Sequence, residues 1–220
     1  MQKRDVALLL CDKNTPMLPC ICPPGELEEE HSLGSILAAT HVSESLVRHN
    51  CITHKRFRHL TLLGMRKGEN EYTYPPYERT QAEELLQCLR GIAPYIIIDC
   101  GLKHELLTVN ALTAADYCII PVQSHFLASE GIPDVLDMVR SVQAKFNPQL
   151  KIAGILLTMY QSRPQLCQSV RSGVSEVYGE QFHVFERPIE YSIKVAECPA
   201  AGQSILSYAP KNAAAESYRS

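Results

Sequence analysis

Tyr95-Ile96-Ile97-Ile98-Asp99 is the stretch of sequence that decides the fold. A short apolar run that closes on a carboxylate is typical of a buried parallel strand, because both faces of such a strand are covered. The strand would bring Asp99 to the carboxyl edge of a sheet, where its carboxylate could lie beside a metal ion. A strand that simply ends at a turn-capping aspartate has the same pattern, so both roles of Asp99 stay open.

Around this stretch, short apolar runs alternate with segments of helix length. The pattern predicts strands at 6–11, 60–63, 95–99, 117–121, 150–158 and 182–185, and helices at 80–90, 105–115, 129–146 and 165–178. Alternation of this kind is typical of repeated βαβ units. We therefore predict a single α/β domain over residues 1–220, built on a mostly parallel, doubly wound sheet.

Composition limits the classes of function. The chain has 220 residues, of which 45% are hydrophobic and 20% charged, and its formal net charge is −3, so no global basic field attracts it to nucleic acid or lipid. Nine scattered cysteines are an odd number and argue against a disulfide framework, which favours a reducing cytoplasm. No apolar run approaches the ~18 residues of a membrane span. We expect a cytoplasmic protein that does not enter membranes.

The phosphate-binding motif that should accompany an acid such as Asp99 is not found in the sequence. In nucleotide-hydrolysing α/β proteins an acid at such a strand end lies beside Mg²⁺. The same chemistry requires a loop of the form G-x-x-x-x-G-K-[ST] to hold the phosphates, and the 220 residues contain no such stretch.

Two further segments carry candidate binding residues. Cys20 and Cys22, with Cys11 and His31 nearby in sequence, could hold Zn²⁺, although structural zinc usually takes paired C-x₂₋₄-C units; partly buried thiols that pin a loop are the alternative. The basic hexamer HKRFRH at 54–59 could bind phosphate or DNA, but a charged run of this length is also typical of a solvated surface.

A set of collinear motifs between residues 95 and 218 resembles the ParA/Soj family of partition ATPases, the deviant Walker P-loop group that includes MinD. The matching stretches are YIIIDC at 95–100, LLTVNAL at 106–112, AAD at 114–116, IPVQ at 120–123, SEG at 129–131, FNP at 146–148, GILLTMY at 154–160, AECP at 196–199, Gly202 and AESY at 215–218. Residues 91–220 resemble the family closely, and residues 1–90 are divergent.

The resemblance implies roles for particular residues. Asp99 matches the Walker B acid, which orders Mg²⁺ through water. Lys194 matches a basic position linked to nonspecific DNA contact and to the nucleotide-bound dimer. The two segments that match the surroundings of the nucleotide base are Pro121-Val122-Gln123 and Thr158-Met159-Tyr160.

The chain departs from the family at its N-terminal side. In the family, the strand that matches residues 6–11 ends in two aspartates one residue apart, the second of which is linked to hydrolysis. Asp12 fits the first position, but Asn14 occupies the second, and an amide cannot act as a base. Family members also carry a strand and a Lys-containing phosphate loop before this point. We therefore expect the phosphate loop and the first strand to be missing, which would leave the neighbouring strands with unpaired backbone groups.

The function that the resemblance implies is ATP-driven partitioning of plasmid or chromosomal DNA. ATP and Mg²⁺ would be the cofactors, and the partners would be a ParB-like protein, nonspecific DNA and a second copy of the chain. The departures predict impaired hydrolysis. The alternatives are a non-catalytic pseudo-ATPase that acts through protein interactions, a truncated gene fragment, and a MinD-like membrane-positioning protein. The last is disfavoured, because the sequence does not close on a basic amphipathic helix.

Overall fold

The computed structural model describes residues 4–12, 17–22, 31–66, 68–69, 72–74, 77–101 and 106–220, with only the backbone of Pro19 and Leu106. The chain divides into two compact units, Met1–Ala114 and Ala115–Ser220. Each unit has its own sheet and its own hydrophobic core, and each is described by itself. The prediction of a single domain stays a prediction.

The first unit contains a four-stranded sheet. Its elements along the chain are β1 (Val6–Leu10), α1 (Leu18–Ile21), α2 (Leu33–Leu37), α3 (Glu44–Asn50), β2 (Ile52–Thr53), β3 (Leu60–Gly64), α4 (Arg79–Ile92), β4 (Tyr95–Asp99) and α5 (Leu106–Ala114). The strand order is β2-β3-β1-β4. β1 is parallel to both β3 and β4, whereas the two-residue β2 is antiparallel to β3.

Both faces of this sheet carry apolar side chains, but the prediction that β4 is a buried strand is wrong: its residues are alternately exposed and half-buried, because β4 ends the sheet among the described residues. Ile96 and Ile98 contact the larger core cluster, which includes buried leucines of α4 and Leu107 of α5. The opposite face packs under α1 through a smaller cluster. β4 is the end strand of the sheet among the described residues, and its side chains Tyr95 and Ile97 are 44% and 56% exposed.

A buried carboxylate fixes the segment after β3. Glu69, which is 7% exposed, accepts hydrogen bonds from the Ser32 hydroxyl (2.5 Å) and the Tyr74 hydroxyl (2.5 Å). Arg66 adds two more, from its backbone N–H (2.8 Å) and its Nε (2.7 Å). Because Ser32 caps α2, the carboxylate of Glu69 joins the start of α2 to the segment that follows β3.

The second unit contains a two-stranded parallel sheet covered on one face by helices. Its elements are β5 (Tyr117–Gln123), α6 (Phe126–Ser129), α7 (Ile132–Lys145), β6 (Lys151–Thr158), α8 (Gln165–Tyr178), α9 (Ile193–Glu197), a 3₁₀ turn (Pro199–Ala201), α10 (Ile205–Tyr208) and α11 (Ala213–Ser217). Ile120 and Val122 of β5 join Ile155 and Leu157 of β6 in a core with α7 and α8. Pro121 lacks a backbone donor, and β5 tolerates it because β5 is paired on one side only within this sheet.

A close backbone approach shapes β6 at Gly154. The Ile155 N–H donates to the His183 carbonyl (2.9 Å), and the Phe185 N–H donates to the Ile155 carbonyl (3.0 Å). A Cβ at Gly154 would lie 2.8 Å from the His183 carbonyl oxygen, so only glycine fits without a shift. The register between β5 and β6 shifts at the same place.

The observed architecture confirms the predicted α/β fold with a mostly parallel sheet. Two predicted details are wrong. Residues 182–185 form one parallel bridge, between Val184 and Ile155, instead of a strand. The helix predicted at 129–146 begins at Ile132, after the separate helix α6, because Gly131 interrupts the two and Pro133 favours the first turn of a new helix.

Candidate functional site

The first unit brings two carboxylates to one edge of its sheet. β1 and β4 are parallel, with Leu10 opposite Asp99, and the Cys11 N–H donates to the Asp99 carbonyl over 2.7 Å. Asp12 therefore follows β1 at the edge where Asp99 ends β4. The two acids share this edge because the carboxyl ends of adjacent parallel strands lie together.

The electrostatics of Asp99 reflect that placement. Partial burial at the ends of the apolar strands, followed by the negative charge of Asp12, raises the pKa of Asp99 above its ordinary value. Asp99 as a whole is still exposed to solvent. Its raised pKa therefore reflects a carboxyl group that has lost part of its hydration, not one that is fully buried. Two nearby carboxylate oxygens that repel each other favour a hard divalent cation, whose charge relieves the repulsion.

Asn14, the third predicted catalytic position, lies outside the described residues. The zinc hypothesis for Cys20 and Cys22 finds no support in the part of the chain that is described, where no group of three or more metal-ligating side chains occurs. Cys22 and Cys11 are both buried and belong to apolar clusters, as thiols that pin a loop would be.

The second unit brings the two predicted base-side segments together. Gln123 is opposite Thr158 at the ends of β5 and β6, and Val122 is opposite Leu157. The Thr158 hydroxyl donates to the Val122 carbonyl at 3.3 Å. Ser124, which is fully buried, donates its N–H (2.9 Å) and its hydroxyl (3.0 Å) to the Thr158 carbonyl. These bonds lock the two strand ends in register.

Not every predicted side chain at this edge can reach a ligand. Val122 and Tyr160 are buried at 5% and 8% exposure, so Val122 packs in the core and Tyr160 offers little surface. The Arg171 guanidinium lies 5.7 Å from the centre of the Tyr160 ring and covers it. Pro121 and Gln123 are exposed. Any contact with a ligand from this edge comes from the exposed residues and from backbone groups.

Met159 is the conformational outlier of this edge. Its φ of 51° makes it the non-glycine residue with a positive φ in the described chain, and its side chain is 46% exposed. A left-handed backbone at a residue with a long side chain costs free energy and is found where surrounding structure imposes it, often at binding sites. Here the next residue is fixed, because the Tyr160 N–H donates to the Ile189 carbonyl and its carbonyl accepts from the Tyr191 N–H.

Lys194, the predicted DNA contact, takes part in a three-residue cluster. Its Nζ lies 2.9 Å from Oε2 of Glu197, which also accepts a 2.9 Å hydrogen bond from the Tyr208 hydroxyl. The hydrogen bond to Glu197 raises the pKa of Lys194, and the same bond, together with that from Tyr208, lowers the pKa of Glu197. The ammonium also lies 5.9 Å from the centre of the Tyr208 ring. Lys194 is therefore exposed but already paired.

Sequence reasoning missed two members of these sites. Glu197 was visible as the i+3 partner of Lys194 on a short helix, which is a spacing at which opposite charges pair. Ser124 had no signal in the sequence, because its role depends on the register between β5 and β6.

No helix in the described part of the chain combines the length and the apolar character that a membrane-spanning helix needs.

Comparison with known proteins identifies a family for more than half of the chain. A model of the AAA domain family (AAA_31) matches residues 29–152, a match that begins inside the part expected to be divergent. The chromosome partitioning protein ParA of Caulobacter vibrioides is 35% identical over 137 residues, which are 61% of this chain and 51% of the relative. The sporulation initiation inhibitor protein Soj of Bacillus subtilis is 38% identical over 133 residues, 60% of this chain and 52% of the relative.

The fold has a solved counterpart in the septum site-determining protein MinD of Pyrococcus horikoshii, determined with Mg-ADP. The TM-score is 0.73 at 16% identity, and the match covers 98% of this chain and 81% of MinD. The chain spans about half the length of the curated relatives it matches. Since the family model covers more than half of the 220 residues, the chain belongs to the AAA_31 family of AAA domains and is a homologue of the ParA and Soj partition proteins.

Proposed function

We propose that the chain acts in the partitioning of plasmid or chromosomal DNA as a ParA-family nucleotide-binding protein with impaired ATP hydrolysis. The observation that carries the proposal is the pair Asp12 and Asp99 at one edge of a parallel sheet, in a chain that is 35% identical over 137 residues to a chromosome partitioning protein. The raised pKa of Asp99 marks a carboxylate that a cation would stabilise.

The cofactors proposed are Mg²⁺ and ATP. Asp99 would hold Mg²⁺, usually through water, with Asp12 contributing its negative charge; the repulsion between the two is the feature that fits a divalent ion. Bound Mg²⁺ would supply charge neutralisation for phosphate oxygens. Of the residues that the resemblance links to the nucleotide base, the second unit by itself presents exposed side chains at Pro121, Gln123 and Met159, and Thr158 is half-buried. MinD, with the same fold, was solved with Mg-ADP.

Impaired hydrolysis follows from two properties of the sequence. The 220 residues contain no Lys-bearing phosphate loop, and Asn14 stands where the family has its second aspartate. Phosphates normally bind to loop N–H groups and a cation, and an amide side chain cannot take a proton from water. Among the described residues β4 is the end strand of its sheet, which supports the inference that a further strand belongs beside it.

DNA and a protein partner complete the proposal. Lys194 would contact DNA without sequence preference, as a cation against phosphate. The protein partner would be ParB-like, and nucleotide would favour a homodimer. The relatives named ParA and Soj support this assignment.

The experiment that tests the proposal is a thermal melt with ATP or ADP, with and without Mg²⁺. A ligand at a hundred times its dissociation constant stabilises the folded state by ~2.7 kcal/mol, which raises the melting temperature of a protein of this size by roughly 5–11 °C. We expect a Mg²⁺-dependent rise in the wild type that Asp99→Asn abolishes. The matched control Asp134→Asn changes an exposed aspartate on α7 and should keep the rise.

A second candidate function is a non-catalytic protein that pairs with a ParB-like protein or an intact ParA. Asn14 and the lack of a phosphate-loop motif in the 220 residues favour it. A cooperative melt with no response to any nucleotide would contradict nucleotide binding by these residues and select this candidate. A melt without cooperativity would indicate a fragment that does not fold.

A further inference from the structure

The stretch between two acids that carries the most lysines and arginines in this acidic chain lies in the first unit. Between Glu44 and Glu69 there are 24 residues with six lysines or arginines and no aspartate or glutamate. The net charge of the whole chain is −3, so attraction to a polyanion has to be local. Three of the six cations fall inside the hexamer HKRFRH, here called the basic hairpin, residues 54–59.

The basic hairpin is the turn between two antiparallel strands. β2 and β3 pair with Ile52 opposite Leu62 and Thr53 opposite Thr61. The His54 N–H then donates to the Leu60 carbonyl at 2.9 Å and closes the base of the loop. The sheet therefore projects the intervening residues as a defined turn.

His54 organises that turn from inside. The ring is 7% exposed, and its Nδ1 accepts hydrogen bonds from the backbone N–H groups of Arg56 and Phe57, both at 3.1 Å. The Phe57 carbonyl accepts from the Leu60 N–H at 2.7 Å. A turn held by these internal hydrogen bonds loses little conformational entropy when it binds a ligand.

The cationic side chains of the basic hairpin point outward. Lys55, Arg56 and Arg58 are exposed, whereas Phe57 between them is half-buried. The Phe57 ring lies 5.1 Å from the His54 ring and 6.2 Å from the His59 ring, centre to centre, and the Arg56 guanidinium lies 5.6 Å from it. The aromatic residue thus supports the cations instead of projecting beyond them.

This arrangement favours one class of polyanion. Binding to an acidic membrane is usually strengthened by an exposed apolar side chain that enters the lipid, and Phe57 is held between two histidines instead. Arginines spaced two residues apart on a rigid turn suit successive phosphates of a nucleic-acid backbone, where each guanidinium can form two hydrogen bonds.

We propose that the basic hairpin is a nucleic-acid contact surface that binds the phosphate backbone through Arg56 and Arg58, without base specificity and without nucleotide. It lies in the first unit, whereas Lys194 belongs to the second. The contact does not depend on the phosphate loop or on Asp99, so it stands apart from the proposed nucleotide function.

Fluorescence anisotropy with a short mixed-sequence DNA duplex, in the absence of nucleotide, tests the surface across a range of salt concentrations. Each phosphate contact contributes about 0.9 to the slope of log affinity against log salt. Arg56→Ala/Arg58→Ala should lower the slope by roughly 2 and weaken binding roughly a hundredfold near 50 mM salt. Arg56→Lys/Arg58→Lys keeps both charges and should retain most of the slope.

The matched control is Arg79→Ala/Arg140→Ala. It changes the net charge equally, but each of these exposed arginines is paired on its own helix, with Glu83 and Asp137. We expect the control to bind DNA as the wild type does. Equal losses in both double variants would overturn the proposal, because the effect would then be one of net charge.

Two further results would also overturn it: no DNA binding by the folded wild type, or stronger binding to vesicles with anionic lipids than to DNA. The nucleotide melt described above is a separate measurement, so a protein that fails to bind ATP can still show the hairpin contact. Loss of DNA binding in Lys194→Ala, with the hairpin variants unaffected, would assign the contact to the second unit alone.

Discussion

The backbone N–H of Cys11 donates to the carbonyl oxygen of Asp99 over 2.7 Å. This bond is the last link between β1 and β4, and it brings the residue after Cys11, Asp12, to the edge where Asp99 ends its strand. The two acids come from positions more than eighty residues apart in sequence. Their effect on each other is the basis of the first prediction.

Asp99→Asn should stabilise the fold at neutral pH. Burial and the charge of Asp12 raise the pKa of Asp99 above its ordinary value of 3.8. The unfolded chain then binds fewer protons than the native chain between these two pKa values, so wild-type stability falls as the pH rises through that window. Asparagine cannot ionise, so the variant does not lose this stability as the pH rises. Its advantage over the wild type should vanish below the pKa that Asp99 has in the unfolded chain.

Urea unfolding at a series of pH values measures this difference. Glu176→Gln, which removes an exposed carboxylate on α8 and leaves Asp12 and Asp99 in place, is the control for the loss of one negative charge. A destabilised Asp99→Asn at neutral pH would mean that the carboxylate is stabilised in the native state, contrary to its raised pKa.

Glu69→Gln should destabilise the first unit by about 2–4 kcal/mol. The buried Glu69 carboxylate accepts four hydrogen bonds, and in glutamine one of its two oxygens is replaced by an NH₂ group, which cannot accept them. Burial by itself would raise the pKa of Glu69, but bonds from Ser32, Tyr74 and Arg66 outweigh it and lower the pKa. The stabilisation is therefore present above the unfolded pKa and is lost as the pH falls through the native pKa.

Denaturant unfolding should show the gap between wild type and Glu69→Gln narrowing in acid. Glu44→Gln removes an exposed ion pair with Arg48 and should change stability by about 0.5 kcal/mol or less. Equal effects of the two substitutions would mean that Glu69 stabilises the fold no more than a surface charge does.

Gly154→Ala should destabilise the second unit by about 1–3 kcal/mol, because its Cβ would meet the His183 carbonyl and the Phe185 ring, both at 2.8 Å. Gly173→Ala is the matched control: it lies inside α8 with no atom within 4 Å of the added Cβ, so alanine should stabilise by up to about 1 kcal/mol. Thermal melts of both variants check the opposite signs, and a neutral Gly154→Ala would contradict the close approach.

Glu197→Gln should lower the pKa of Lys194 toward its ordinary value of 10.5, since the hydrogen bond and charge of Glu197 are what raise it. NMR titration of labelled lysine side chains into strongly alkaline solution measures the change. If Lys194 contacts DNA, removal of the competing carboxylate should also strengthen that binding. A Lys194 pKa that does not respond would show that the pair does not persist in solution.

The sequence was sufficient for elements whose apolar pattern is long or unbroken. The strand at 95–99 and the helix at 165–178 begin and end as predicted. The two-residue β2 was not predicted, because such a short strand has no periodicity, and its antiparallel pairing depends on the turn that follows. Residues 182–185 are apolar enough for a strand, but only Val184 pairs with β6.

The candidate site was predictable where parallel strands determine it. Asp12 and Asp99, and Gln123 and Thr158, come together because adjacent parallel strands end at the same edge. Which of these side chains are buried was not predictable in the same way. Val122 faces the core, whereas Pro121 and Gln123 on either side of it face outward. The left-handed backbone of Met159 also had no signal, because it is imposed by bonds between the following residue and a distant segment.

Within the described part of the chain β4 ends its sheet, and this has a practical consequence for handling the protein. Tyr95 and Ile97 are partly exposed on a strand with no lysine, proline or bulge along it, which are the features that normally block edge-to-edge association. Concentrated samples should therefore aggregate through this strand. The substitution Ile97→Lys should improve solubility more than Val177→Lys, which replaces an exposed apolar side chain of α8.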